Sequence, residues 1–124
     1  TSVIIELLAQ ERGPRLSDEI MELTKDEKLY MSIVQMGEIA DWCVRKDEDI
    51  SLTINTVQQI VNVLPLNEII CIKASMMKNE MRQKGIDKFG LMDGIVLASA
   101  MSVNHRLLTM DEDFKMSESA IVLD

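Results

Sequence analysis

The sequence predicts an α/β fold, a short parallel sheet covered on both faces by helices. Two observations carry this. Short apolar runs alternate with stretches of helical spacing along the whole chain, the pattern of successive βα units. The runs themselves, such as KLYM and AIVL, are apolar without a polar partner in alternation, as strands buried on both faces are. With 124 residues and no internal repeat, low-complexity tract or linker, the chain reads as one domain over residues 1–124.

Taken in order, SVIIELLAQER has apolar residues at 3, 4, 7 and 8, a helical spacing over Ser2–Arg12, and Gly13-Pro14 stops it. Leu16–Leu23 is a second helix with Leu16, Ile20 and Leu23 on one side. Lys28–Met31 is short and apolar between charges, hence a strand. Ser32 caps a long helix, Ile33–Arg45, with Gln35 at the capping-box position. Asp49 or Ser51 opens another helix reaching Val61, Asn62–Leu64 before Pro65 is a short strand, and Asn67 starts a helix ending near Lys84-Gly85. A loop, Ile86–Gly90, leads to Leu91–Val103, a helix apolar on every side and therefore expected to be buried. Arg106–Thr109 is a strand, Asp111–Phe114 a turn, and Ala120–Leu123 the last strand. A βα chain normally opens on a strand, whereas this one opens on Thr1 and Ser2, a helix entrance; a first strand is expected upstream.

Charge narrows the function. The net charge of −8 argues against a broad phosphate-binding face, which needs clustered Lys and Arg. It leaves open a nucleic-acid enzyme that brings a divalent cation to its substrate, and it suits a basic protein partner. No apolar run reaches the roughly 18 residues a membrane helix needs, and no secretory pattern stands at the N-terminus. Cys43 and Cys71 form no C-x-x-C and are expected to be reduced thiols of a cytoplasmic protein. Ten methionines and 3% aromatics predict a soft aliphatic core.

The chemistry centres on carboxylates. Asp93 is the only charged residue of the Leu91–Val103 helix. It either favours the positive end of the helix dipole from the first turn or takes part in a site, since a buried carboxylate must be paired, protonated, capped or metal-bound. Asp111 follows the Arg106–Thr109 strand, at the carboxyl edge where open α/β sheets bind ligands, and Asp93 opens its helix at the same edge. Asp111 alone reads equally as a cap for the turn it opens. Glu38 stands two turns into its helix on a polar stripe with Asp41 and Arg45, the usual position of a solvated glutamate. Three such acids on one edge repel one another, and Mg²⁺ or Mn²⁺, which prefers oxygen ligands, relieves this. No zinc spacing, P-loop or G-x-G-x-x-G is present, and His105, the single histidine, reads as exposed. Arg82, Lys84 and Lys88 flank the loop before Asp93; they either solvate a helix end or hold an RNA backbone. Trp42 and Phe114 read as packing residues ahead of base-stacking ones.

Three blocks, SVIIELL, SIVQMGEIADW and LMDGIVLASAMSVNHRLLTMDEDF, resemble in order those of PIN-domain ribonucleases, notably the VapC-type toxins, over nearly the whole chain. The last is the most specific: Asp93 opening an alanine-containing apolar helix, an apolar strand, then Thr109, Asp111, Asp113 and Phe114. The resemblance implies a three-layer α/β/α sandwich and a Mg²⁺- or Mn²⁺-dependent endoribonuclease leaving a 5′-phosphate and a 3′-hydroxyl. Glu38, Asp93 and Asp111 would be catalytic metal ligands or outer-shell carboxylates. Asp113 would be an auxiliary acid of the metal site, and Ser2 and Thr109 orienting hydroxyls. It further implies RNA as substrate and an antitoxin as partner, and apolar Ile4, Leu7 and Leu8 point to a homodimer. The family's first block begins with an Asp that would stand immediately before Thr1, so truncation of the natural protein is expected. The competing readings are a non-catalytic scaffold that binds a protein partner and a nuclease of ribosomal RNA maturation.

Overall fold

The computed structural model describes residues 2–123, with the side chain of Ser2 outside the described residues. Helix α1 runs over Ser2–Ala9 and α2 over Pro14–Thr24. The turn between them is built by Gly13, whose φ of 97° disfavours side chains, and by Pro14, which opens α2 where no backbone donor is needed. Glu6, 2% exposed, accepts the Arg12 backbone N–H with both carboxylate oxygens, at 2.5 and 3.0 Å. That bond draws the chain out of helical register, which is why α1 stops at Ala9 and not at Arg12.

Strand β1 (Tyr30–Ser32) feeds straight into α3 (Ile33–Lys46). The strand begins two residues later and ends one residue later than Lys28–Met31, because Ser32 serves both elements. Its hydroxyl accepts from Val34 N at 3.4 Å, and the Gln35 side chain accepts from Ser32 N at 2.9 Å, the expected capping box. Asp49 caps α4 (Ile50–Ile60), accepting from Leu52 N at 2.9 Å; β2 follows at Asn62–Leu64. Asn67 caps α5 (Glu68–Gln83) through Ile70 N at 2.9 Å. Helix α6 covers Leu91–Ser102, β3 Leu107–Thr109, a 3-10 turn Glu112–Phe114 and β4 Ala120–Val122.

The strands form two parallel pairs. β1 lies on β2 with Tyr30 opposite Asn62 and Ser32 opposite Leu64; β3 lies on β4 with Leu107 opposite Ala120 and Thr109 opposite Val122. Among the described residues no ladder joins one pair to the other. Helices pack around them as an α/β sandwich. Ile39, Trp42 and Cys43 of α3 meet Val57, Met31 and Val61. Val3, Leu16 and Ile20 of the first two helices meet Leu123. Leu23, expected beside Leu16 and Ile20, is 47% exposed and lines, with Ile20, a cavity that opens to the surface.

Helix α6 is not buried on all sides. Gly94, Ile95, Leu97, Ala98 and Ser99 are buried, but Leu91, Met92 and Met101 at the two ends reach solvent. Its serines tolerate apolar surroundings by bonding back into the helix: Ser99 Oγ donates to Ile95 O at 2.7 Å and Ser102 Oγ to Ser99 O at 2.6 Å. Helices α5 and α6 are in close backbone approach, since a Cβ on Gly94 would stand 3.0 Å from the Ala74 carbonyl carbon and nearer still to its oxygen. Cys43 is buried and Cys71 exposed, both as free thiols. Among the described residues, no helix is long and apolar enough to cross a membrane.

Candidate active site

The site is assembled by the loop entering α6 and the turn leaving β3. Phe89, fully buried, precedes Gly90, and Phe114, 4% exposed, follows Asp113. The two rings meet edge to face with centroids 5.3 Å apart, inside the cluster formed with Met81 and Leu97. Arg82 Nε donates to Phe89 O at 2.9 Å and fixes the loop from the α5 side. The segments that carry Asp93 and Asp111–Asp113 are thereby pinned together.

Within that frame Asp93 and Asp111 each have one oxygen engaged locally. Asp93 is the third residue of α6, and its Oδ2 accepts from Gly90 N at 2.8 Å, an end-of-helix bond that fits the dipole reading of this residue. Asp111 caps the 3-10 turn, Oδ1 accepting from Asp113 N at 2.9 Å. Thr109, 7% exposed, accepts from Asp111 N through Oγ1 at 3.1 Å and so sets where Asp111 leaves the strand. The first-turn reading of Asp93 and the cap reading of Asp111 both fit these bonds, which leave a second carboxylate oxygen on each for other work.

The electrostatics join four acids. Burial pushes the Asp93 carboxyl above its ordinary value, the Gly90 N–H pulls it back in part, and the charges of Asp111, Asp113 and Glu38 each push it further up. Glu38 is exposed on α3, and its neighbour on the stripe, Asp41, pairs with Arg45 at 3.3 Å. Among the described residues, Asp93, Asp111 and Asp113 are paired with no protein cation.

Among the described residues no three Asp, Glu, His or Cys side chains are arranged to hold a metal ion between them. The donor chemistry nevertheless suits one class of cation. Mg²⁺ keeps several waters and uses one or two carboxylates, which needs no closed protein cage. Hard oxygen donors with unbalanced charge and a destabilised Asp93 carboxylate match that demand.

The remaining expected residues divide. Arg82, Lys84 and Lys88 are exposed, but Arg82 supports the Phe89 carbonyl and Lys84 pairs with Glu80 at 3.2 Å. The Ser2 side chain lies outside the described residues. Trp42 and Phe114 are core residues, Trp42 with its indole N–H donating to Glu11 at 3.4 Å. His105 is half-buried and not exposed as expected, because its ring packs on Tyr30 at 4.9 Å. Sequence reasoning missed Phe89, Gly90 and the Arg82 anchor; the only signal was a Phe-Gly pair just ahead of Asp93.

The family model described as PIN domain matches residues 1–117. Among solved structures, chains in three assemblies resemble this one. The first is a toxin–antitoxin complex from Klebsiella pneumoniae, with TM-score 0.74 and 16% identity. The second is VapBC2 from Rickettsia felis bound to a DNA fragment from its promoter, at 0.75 and 17%. The third is VapBC-1 from nontypeable Haemophilus influenzae, at 0.68 and 23%. Each alignment covers 98% of this chain and 92% of the other. No curated protein sequence matches.

Proposed function

The chain belongs to the PIN-domain family, and from that premise we propose that it is a metal-dependent endoribonuclease hydrolysing RNA phosphodiesters, the toxin of a toxin–antitoxin pair. The observation that carries the chemistry is the Asp93 carboxyl, raised by burial and by the charges of Asp111, Asp113 and Glu38. A site that destabilises the charged form of Asp93 is poised for an external cation.

Asp93 and Asp111 would hold Mg²⁺ or Mn²⁺, with Glu38 and Asp113 contributing through the outer sphere. When bound, the ion supplies a lowered water pKa and stabilises charge on the phosphoryl group. The protein's own share is positional. Gly90 N fixes one Asp93 oxygen, Asp113 N fixes one Asp111 oxygen, and Thr109 sets the path of the Asp111 backbone. Lys88, exposed on the loop before Gly90, is the best placed of the basic residues to meet a substrate phosphate, and Arg82 and Lys84 add positive charge beside it.

The toxin assignment rests on neighbours that are toxin–antitoxin complexes. A net charge of −8 suits an antitoxin with a basic segment. A homodimer belongs to the same reading. Ile4, Leu7 and Leu8 of α1 are half-buried, and larger apolar exposure lies at Ile69, Ile72 and Met76 of α5. The protein would act in the cytoplasm, on RNA.

The test is cleavage of single-stranded RNA by the purified chain in Mg²⁺ or Mn²⁺. EDTA should abolish it, and Asp93→Asn should lower the rate by about a hundredfold or more, as loss of a charge-stabilising group does. Cleavage that survives EDTA, or that Asp93→Asn leaves unchanged, would overturn the proposal.

A further inference from the structure

Helix α5 carries a shallow surface pocket lined by Ser75, Met76, Lys78, Asn79 and Arg82. Two of these residues are cations and none is an acid, in a chain whose net charge is −8. Among the described residues, the side chains of Ser75, Lys78 and Asn79 take part in no hydrogen bond or ion pair. Lys78 is half-buried. Glu80, two residues along, pairs with Lys84 at 3.2 Å and lies outside the lining. Helix-dipole compensation does not account for Lys78, because that effect fades within the last turn and α5 runs on to Gln83.

The pocket is tied to the Asp93 segment at both ends. Arg82 Nε donates to Phe89 O at 2.9 Å, one residue before Gly90, whose N–H holds Asp93. Ala74, next to Ser75, is in backbone contact range of Gly94, next to Asp93. Residues 74–82 of α5 therefore run alongside residues 89–94, and the pocket stands on the helix that borders the candidate metal site. With Nε engaged, Arg82 keeps the two terminal nitrogens of its guanidinium for an anion.

We propose that Ser75, Lys78, Asn79 and Arg82 form a subsite for one backbone phosphate of the RNA, beside the phosphodiester held at Asp93. Two cations supply the charge, and a hydroxyl and an amide supply neutral donors, the set that meets phosphate oxygens without reading sequence. The choice of RNA as the source of the anion rests on the nuclease reading. The subsite explains how an acidic chain holds a polyanion: one local patch of donors fixes the strand next to the acids, and no broad basic face is needed.

The experiment measures fluorescence anisotropy of a labelled single-stranded RNA of about eight nucleotides with the full chain at low salt in EDTA. Binding is then read without metal and without turnover, so a failure of cleavage leaves this result standing. Lys78→Gln should weaken binding by about fivefold and reduce the slope of log affinity against log salt by about 0.7, the value for one phosphate contact on a single strand. Lys73→Gln removes the same charge from the opposite side of α5 and should leave affinity within about twofold. Four outcomes would overturn the proposal: no RNA binding by the wild type, equal losses in the two variants, an unchanged salt slope in Lys78→Gln, or equally tight binding of a polyglutamate peptide of matched charge, which would make the pocket a site for acidic protein segments.

Discussion

Phe89 and Phe114 meet edge to face at 5.3 Å, and each stands within a few residues of an acid of the candidate site. The pair joins the loop before α6 to the turn after β3, so packing in one small core sets the spacing of charges at the surface. Phe114→Leu keeps the site's acids and most of the apolar volume. It should cost about 1 kcal/mol in urea unfolding, within the usual range for near-isosteric core swaps. Divalent-ion affinity should fall by about tenfold, the lower range for loss of supporting contacts. Unchanged affinity by calorimetry would show that the ring pair does not position the site.

Asp93 gives a pH signature in the absence of metal. Its carboxyl is raised in the folded protein by burial first, then by Asp111, Asp113 and Glu38. The folded state therefore binds this proton more tightly than the unfolded chain does. Stability from this group is present at acid pH and is lost as pH rises through the raised value. Asp93→Asn, whose amide oxygen can still accept from Gly90, should be the more stable protein at neutral pH in EDTA. That advantage should shrink as the pH falls below the ordinary carboxylate range. Melting curves of the two proteins across pH would reveal it; a difference that does not vary with pH would exclude the shift.

Gly94 is where α6 approaches α5. A Cβ there would collide with the Ala74 backbone, which cannot rotate away. Gly94→Ala should destabilise by about 1–3 kcal/mol despite alanine's better helix propensity. Denaturant titration measures this, and a neutral or stabilising result would mean that the helices are further apart than described.

Thr109 acts on Asp111 through its hydroxyl, the acceptor for Asp111 N at 3.1 Å. Thr109→Val should cost about 1 kcal/mol in stability and should also reduce metal-dependent cleavage. Thr109→Ser, which keeps the acceptor, should restore the cleavage. Equal activity of the Val and Ser forms would assign Thr109 to packing alone.

Much of this was legible in the chain. Ser32 with Gln35, Asp49 and Asn67 announced their helices because capping is local chemistry, written within four residues of the helix start. Asp93 and Asp111 stood out because a charge next to an apolar run is unusual wherever it folds. The end of α1 was misread because its stop signal, Glu6 reaching Arg12 N, is a bond across a turn and not a residue type. His105 was misread as exposed and Phe89 missed for a related reason: their partners, Tyr30 and Phe114, are distant in sequence, and no local pattern encodes such a meeting. The separation of the sheet into two pairs is likewise a property of tertiary pairing, invisible in the spacing of apolar runs.

The central claim is that the acids around Asp93 hold a divalent cation, and calorimetric titration of Mn²⁺ into the wild-type chain and into Asp93→Asn tests it most directly. The wild-type protein should bind, with affinity falling by at least about tenfold in the variant. Identical isotherms for the two proteins, or no binding to the wild type, would contradict it.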